Sequence, residues 1–212
     1  MNPMTAAHPT SPADRPQLSL RERKKIKTRE AIRTATYALI KEQGYDATTI
    51  DQIAERAEVS PSTVFRYFPT KEDIVLTDEY DPILLELLRA RPADEPLPET
   101  MRYVIREGAR VGIEEDMEVA RLRTHLMVTV PAMRSRMMES MSVTGRMLCT
   151  AIGERTGRDP DSLEVRVYAM SFLGGLMETS LYWAERGHKD DFEGLLDRTL
   201  DVLEHSIGKE NP

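Results

Sequence analysis

Between positions 60 and 71 the chain gathers side chains suited to a polyanion whose surface also carries information. Ser60, Ser62 and Thr63 bring hydroxyls that hydrogen-bond either base edges or phosphates, so they carry little sequence preference alone. Pro61, set among them, leaves room for close approach. Arg66 adds a planar fork whose best use is a bidentate contact to guanine. Tyr67 and Lys71 suit phosphate contacts that fix register, and Lys71 falls near an expected helix start, where free N–H groups attract phosphate. Catalysis has no comparable set. His8, His125, His188 and His205 are scattered without metal-ligand spacing. There is no G-x-S-x-G, no phosphate-cradling glycine loop and no evident histidine partner for the one cysteine, Cys149. No enzyme, cofactor or metal is expected.

The net charge of −7 argues against nucleic acid only until its distribution is read. Residues 21–73 carry 11 Lys/Arg against 9 Asp/Glu, whereas residues 74–212 carry 17 against 26. Arg21, Arg23, Lys24, Lys25, Lys27, Arg29 and Arg33 crowd the start of the first segment. A basic end on an acidic body allows phosphate contact without general affinity for polyanions, although a charge run also suits a plain solvated face. One cysteine excludes an internal disulfide framework and fits a reducing cytoplasm. No apolar run approaches the ~20 residues of a membrane helix, and residues 1–17 lack the order of a secretory signal. A cytoplasmic chain that avoids membranes is expected, with residues 1–20 as a disordered arm.

The elements that must position these residues read as helices almost throughout. A first helix over 20–43 buries Ile32, Ala35, Thr36, Leu39 and Ile40, and Gly44 stands where a left-handed C′ residue belongs. Thr49 with Gln52 makes a capping box for a second helix, Thr48 with Asp51 being the alternative register. Its buried positions are Ile50, Ile53, Ala54 and Ala57. Ser60 caps a short third helix over 61–68, with Pro61 at its first position and Val64 and Phe68 as core. Thr70 with Asp73 opens a fourth helix expected to reach about 90. Three prolines within 92–98 then break the chain, and helices follow near 98–113, 116–129, 131–156, 161–186 and 190–207. Asp161 with Glu164 reads as another capping box and Gly187 as a stop.

Two short helices joined by a tight turn describe a helix-turn-helix. Segment 28–76 resembles the DNA-binding domain of the TetR family of transcriptional regulators. The likeness lies in Gly44-Tyr45, Thr48-Thr49, Ile53-Ala54, Val59-Ser60, Thr63-Val64-Phe65, Tyr67-Phe68 and Lys71-Glu72, in order and at the family's spacing. It implies an all-α fold: an arm over 1–20, a three-helix DNA-binding domain over 21–72, and a helical ligand-binding and dimerisation domain over 73–208. It also implies a ligand-responsive regulator, a repressor that binds double-stranded operator DNA as a homodimer and is released by a small-molecule effector. Thr49, Ser60, Pro61, Ser62, Thr63, Arg66, Tyr67 and Lys71 match positions that touch DNA in the family, and Arg29 is a further candidate. Phe65 matches an aromatic that touches both core and DNA and ranks lower. Glu58 departs from the family's turn glycine; if a positive φ is required there, the cost is roughly 1 kcal/mol.

Beyond residue 98 no motif fixes the chemistry. The resemblance implies a ligand pocket and a dimer formed by the last two helices. Ten methionines between 101 and 177, flexible and polarizable, suit either core filling or an adaptable apolar pocket. Tyr103, His125, Met127, Met137, Met141, Tyr168 and Phe172 are the candidate pocket residues for an apolar or amphipathic effector. Val165, Leu176, Trp183, Leu196, Leu200 and Leu203 are candidates for the dimer face, though a protomer could bury the same stripes internally. Some TetR-like regulators that resemble this one around residues 65–69 sense lipid-like or acyl-thioester ligands, so the resemblance also points toward that ligand class.

Overall fold

The computed structural model describes residues 19–77 and 81–205, and every side chain within them except those of residues 22, 81–83 and 111–116. The arm over 1–18 and Ile207 lie outside the described residues. The described chain is helical and divides into two compact units, one ending at Tyr67 and the other beginning at Phe68.

The first unit contains α1 (Leu20–Gln43), α2 (Ile50–Arg56) and α3 (Pro61–Tyr67). The apolar stripe of α1 is buried as its spacing requires: Ile32, Ala35, Thr36, Leu39 and Ile40 are all below a tenth exposed. Thr36 satisfies its buried hydroxyl by donating to the Ile32 carbonyl at 2.8 Å. Gly44 takes φ +84° and ends α1. The capping box of α2 forms in the Thr49 register, while Thr48 is buried and donates to the Gly44 carbonyl. Ile53 and Ala54 are buried; Ile50 and Ala57 are half-buried at the edge.

The second unit contains α4 (Lys71–Leu76), α5 (Asp81–Ala90), α6 (Leu97–Thr129), α7 (Pro131–Thr156), α8 (Leu163–Glu185) and α9 (Phe192–His205). Three expectations need correction. The fourth helix stops at Leu76: Thr77 is extended, and its hydroxyl turns back to the Asp73 carbonyl. Pro82 falls in the first turn of α5, where a missing N–H costs nothing, so it marks the start of a new helix and not the middle of a continuing one. The two helices expected over 98–113 and 116–129 are one continuous α6, since neither glycine nor the acidic run between them breaks a helix. Asp161 and Glu164 form no capping box. α8 starts after Ser162 without a side-chain cap, and Asp159 organises the entry by accepting from the Asp161 N–H and the Ser162 hydroxyl.

The core of this unit draws Leu88, Met101, Val104, Ile105, Ala151, Phe172, Leu196 and Leu200 from α5 to α9. At Gly175 an added Cβ would lie 3.0 Å from Thr199 and 3.2 Å from Leu203, so that glycine sets the approach of α9 to α8. Ion pairs lock α6 to α9: Arg102 meets Asp201 and Glu204, and Arg106 meets Asp197 in a two-point contact at 2.6–2.7 Å.

The proline-broken connection before α6 is held electrostatically. The Arg155 guanidinium donates to the carbonyls of Arg91, Pro92 and Glu95. The Glu95 carboxylate accepts from Arg91 and from the Thr100 hydroxyl, and these bonds hold its pKa down at about 2 against an ordinary 4.5. A carboxylate with a depressed folded pKa stabilises above its unfolded pKa and ceases to do so as pH falls through the folded one. Glu95→Gln is therefore expected to lower the urea midpoint at neutral pH. The difference from wild type should shrink between pH 4.5 and about 2 when both proteins are titrated in parallel.

Candidate nucleic-acid interface and ligand cavity

In the first unit the turn between α2 and α3 closes as a Schellman motif. The Val59 N–H donates to the Ala54 carbonyl and the Glu58 N–H to that of Glu55, with Glu58 left-handed at φ +54°. The backbone conformation that favours glycine is thus adopted here by glutamate. Val64, on the inner side of α3, is fully buried. Pro61, Ser62, Phe65 and Arg66 are exposed on its outer side, while Thr63 and Tyr67 are half-buried.

At the head of α3 the Ser60 hydroxyl oxygen accepts from the Thr63 N–H at 3.2 Å and lies 2.9 Å from both the Ser62 and Thr63 hydroxyls. The three hydroxyls form one hydrogen-bonded group. Arg66 lies with its guanidinium carbon 5.4 Å from the Tyr67 ring centre, which brings these two candidates together. Arg29 is half-buried on α1, and Lys71 is the first residue of α4 in the second unit.

A glutamine pair missed in the sequence organises Thr49. Gln43 donates to the Ala47 carbonyl and to Gln52 Oε1, both at 2.9 Å. The same oxygen accepts from the Thr49 N–H at 2.9 Å and lies 3.1 Å from its hydroxyl. Because a carbonyl and a backbone N–H anchor this chain of bonds, both amide orientations are determined. The nitrogen of Gln52 is the end left for other partners. Capping spacing was the available signal, but Gln43 lies nine residues away on another helix.

The second unit holds a cavity of about 60 Å³ whose exposed lining is apolar, between α5, α6, α7 and α8. Leu88, Met101, Val104, Leu148, Phe172 and Leu176 are among its walls. Of the seven candidate pocket residues, Phe172 lines it. Tyr168 packs at a tilt against Phe172 with ring centres 4.8 Å apart. Its hydroxyl is buried without a hydrogen-bond partner among the described residues, and burial pushes its pKa up to about 12. Tyr103 points out, with the Arg91 guanidinium 4.0 Å from its ring centre, and His125 is exposed. Met127 and Met141 are half-buried and Met137 is buried, but none of them lines this cavity.

The candidate dimer residues are largely taken up within the protomer. Val165, Leu196 and Leu200 are buried in its core. Trp183 is buried at the α8–α9 turn, donating to the Asp190 carbonyl, meeting His188 edge-to-face and packing at a tilt against Phe192. Leu176 lines the cavity, and Leu203 packs at the rim of the core. The exposed apolar residues of these two helices are instead Leu163, Val167, Met170 and Tyr182 on α8 and Val202 on α9.

Both ends of α4 are tied to the long helices. Arg136 of α7 makes a two-point contact with Asp73 at 2.9 and 3.1 Å, and Arg123 of α6 donates to the Leu76 carbonyl. Burial pushes the Asp73 carboxyl up, but hydrogen bonds from Arg136 and Thr70 outweigh it and hold the pKa below the ordinary carboxylate range.

Residues 32–77 match the family model described as "Bacterial regulatory proteins, tetR family", and residues 95–208 match that of the "MftR C-terminal domain". The chain belongs to the TetR family. It is accordingly a transcriptional regulator and not an enzyme. A TetR-family relative, the HTH-type transcriptional regulator TcmR of Streptomyces glaucescens, is 32 % identical over 168 residues, covering 75 % of this chain and 71 % of its own. Two solved structures share the fold. Thermus thermophilus FadR, a TetR-family repressor in complex with lauroyl-CoA, aligns at TM-score 0.56 and 22 % identity over 87 % of this chain and 97 % of its own. Bacillus subtilis FadR in complex with stearoyl-CoA aligns at 0.56 and 22 % over 86 % and 99 %.

The turn yields a prediction. Glu58→Gly relieves a left-handed L-residue and should stabilise the protein by about 1 kcal/mol in urea denaturation. Because the change removes a carboxylate and none of the proposed contacts, DNA affinity measured by fluorescence anisotropy should not fall.

Proposed function

We propose that this TetR-family regulator is a homodimeric repressor that places α3 in the major groove of a two-fold symmetric operator and leaves it when an apolar or amphipathic ligand enters the second unit. The observation that carries the DNA half is the outer side of α3, where hydroxyls and Arg66 stand exposed on a helix held by a buried inner side. Arg29, Thr49, Ser60, Pro61, Ser62, Thr63, Arg66, Tyr67 and Lys71 are the proposed contacts. One short helix reads few bases, so two copies on a palindrome supply the missing specificity. The exposed apolar residues of α8 and α9 support pairing through those helices, with Val167 and Met170 on the pairing face and Val165, Leu196 and Leu200 inside the protomer.

The apolar cavity supports the ligand half. A hydrocarbon chain suits walls without a charged group, and the acyl-CoA complexes of the two FadR proteins favour that chemistry. At about 60 Å³ the space is well below the roughly 300–1,000 Å³ of a filled ligand site, so entry must part the helices around it. Arg123 and Arg136 tie α6 and α7 to α4, which follows α3 in the chain, so displaced helices pull on the element next to the reading head.

The deciding experiment is anisotropy binding to the duplex upstream of the protein's own gene, across several salt concentrations, followed by selection on genomic fragments if that duplex is not bound. Binding should weaken with salt and be lost in a Tyr67→Ala, Lys71→Ala double variant, and a long-chain acyl-CoA should release the wild type. A folded protein that retains no DNA fragment at any salt sinks the reading. Sedimentation tests the dimer face: Val167→Glu should shift the protein toward monomer with little change in protomer stability. Leu200→Ala, a core truncation, should cost about 2–5 kcal/mol of stability.

A further inference from the structure

Tyr168, Phe172 and Leu176 follow one another at four-residue steps on one row of α8, and the last two wall the apolar cavity. The Tyr168 ring lies between two apolar clusters, that of Phe172 and that of Ile152, Val165 and Ala169. Its hydroxyl is buried there with no hydrogen-bond partner among the described residues. Glu204, the acid whose charge bears on it, has both carboxylate oxygens on Arg102. Leaving a phenol oxygen buried and unmet costs stability that phenylalanine at the same place would not. Burial keeps the proton on that oxygen far above neutral pH, so the hydroxyl is a ready donor. The adjoining cavity has an apolar lining, and a carbonyl carried into it on a hydrocarbon chain meets no donor on those walls. Tyr168 is the next side chain along the row, one turn beyond Phe172, in a space that must widen before it holds a ligand.

We propose that the Tyr168 hydroxyl is the polar anchor of the ligand site, donating a hydrogen bond to an uncharged carbonyl oxygen on an otherwise apolar chain once the helices part. The proposal rests on entry of an apolar or amphipathic ligand into the second unit, and adds the functional group that ligand must carry. A thioester and a ketone both present such an oxygen. A free carboxylate fits worse, because the apolar walls bring no cation to meet its charge.

The test pairs palmitoyl-CoA with S-hexadecyl-CoA, the thioether that keeps chain and head group but lacks the carbonyl. Both are titrated calorimetrically into the full-length protein and its Tyr168→Phe variant. Wild type should prefer the thioester by roughly 2- to 10-fold, the worth of one neutral hydrogen bond, and Tyr168→Phe should bind both alike. A hydroxyl with a purely structural role would lower stability when removed. The urea midpoint of Tyr168→Phe should instead equal or exceed that of wild type. Wild type that binds thioester and thioether alike overturns the proposal, as does a Tyr168→Phe variant that keeps the wild-type preference. Either result leaves the ligand cavity standing. If neither CoA compound binds, the infrared stretch of dodecyl methyl ketone, isotope-labelled at its carbonyl, decides. It should lie at lower wavenumber in wild type than in Tyr168→Phe, and equal stretches overturn the proposal. A protein that takes up neither the CoA compounds nor the ketone has no ligand cavity of this kind, and the proposal falls with that reading.

Discussion

A seven-residue helix has little stability of its own in water, because the nucleus of the first turn costs more than so few hydrogen bonds return. Both α2 and α3 are that short. The proposed DNA-reading surface therefore exists only while something else holds the two helices in place. Part of the support is the pair of buried residues on α2 and the one on α3, Ile53, Ala54 and Val64. The rest is local chemistry at every end. The Thr49–Gln52 box starts α2, the Schellman turn at Glu58 stops it, and Ser60 with Pro61 starts α3. Arg56 adds a two-point ion pair to Glu42 of α1 at 2.6–2.7 Å, an exposed contact that orients α2 more than it stabilises it.

The second unit solves a different problem. Its helices are long enough to persist, and what matters is which faces they bury. α8 uses nearly its whole circumference: Val165 and Ala169 pack toward α7, Phe172 and Leu176 toward the cavity, Gly175 and Thr179 toward α9. Leu163, Val167 and Met170 remain outside. A helix apolar all round has no single stripe to read, so spacing alone does not sort its cavity-facing residues from its outward-facing ones.

Legibility followed the range of the interaction. The caps at Thr49 and Thr70, the left-handed Gly44 and the buried stripe of α1 depend on residues within a turn or two, and all were visible in the chain. The start of α5 is equally local, but the periodicity of the apolar residues around it hides the helix-start signal of Pro82. The outward turn of Tyr103 was not legible, since it accompanies Arg91, a residue from the other side of a proline-broken connection. Nor was the cavity, because an unfilled space among Leu, Met and Phe looks in sequence like the same residues packed shut. The glutamine pair lay between the two cases: its capping half was visible, and the half that orients it comes from the far end of α1.

The unbroken run of α6 has a mechanical meaning. At 33 residues and 1.5 Å per residue it is a rod of roughly 50 Å. Met101, Val104 and Ile105 near one end face the cavity, and Arg123 near the other holds the last carbonyl of α4. Two helices with a hinge near residue 114 would absorb a push at the cavity by bending. A single rod has no such joint between the cavity end and the Arg123 contact with α4.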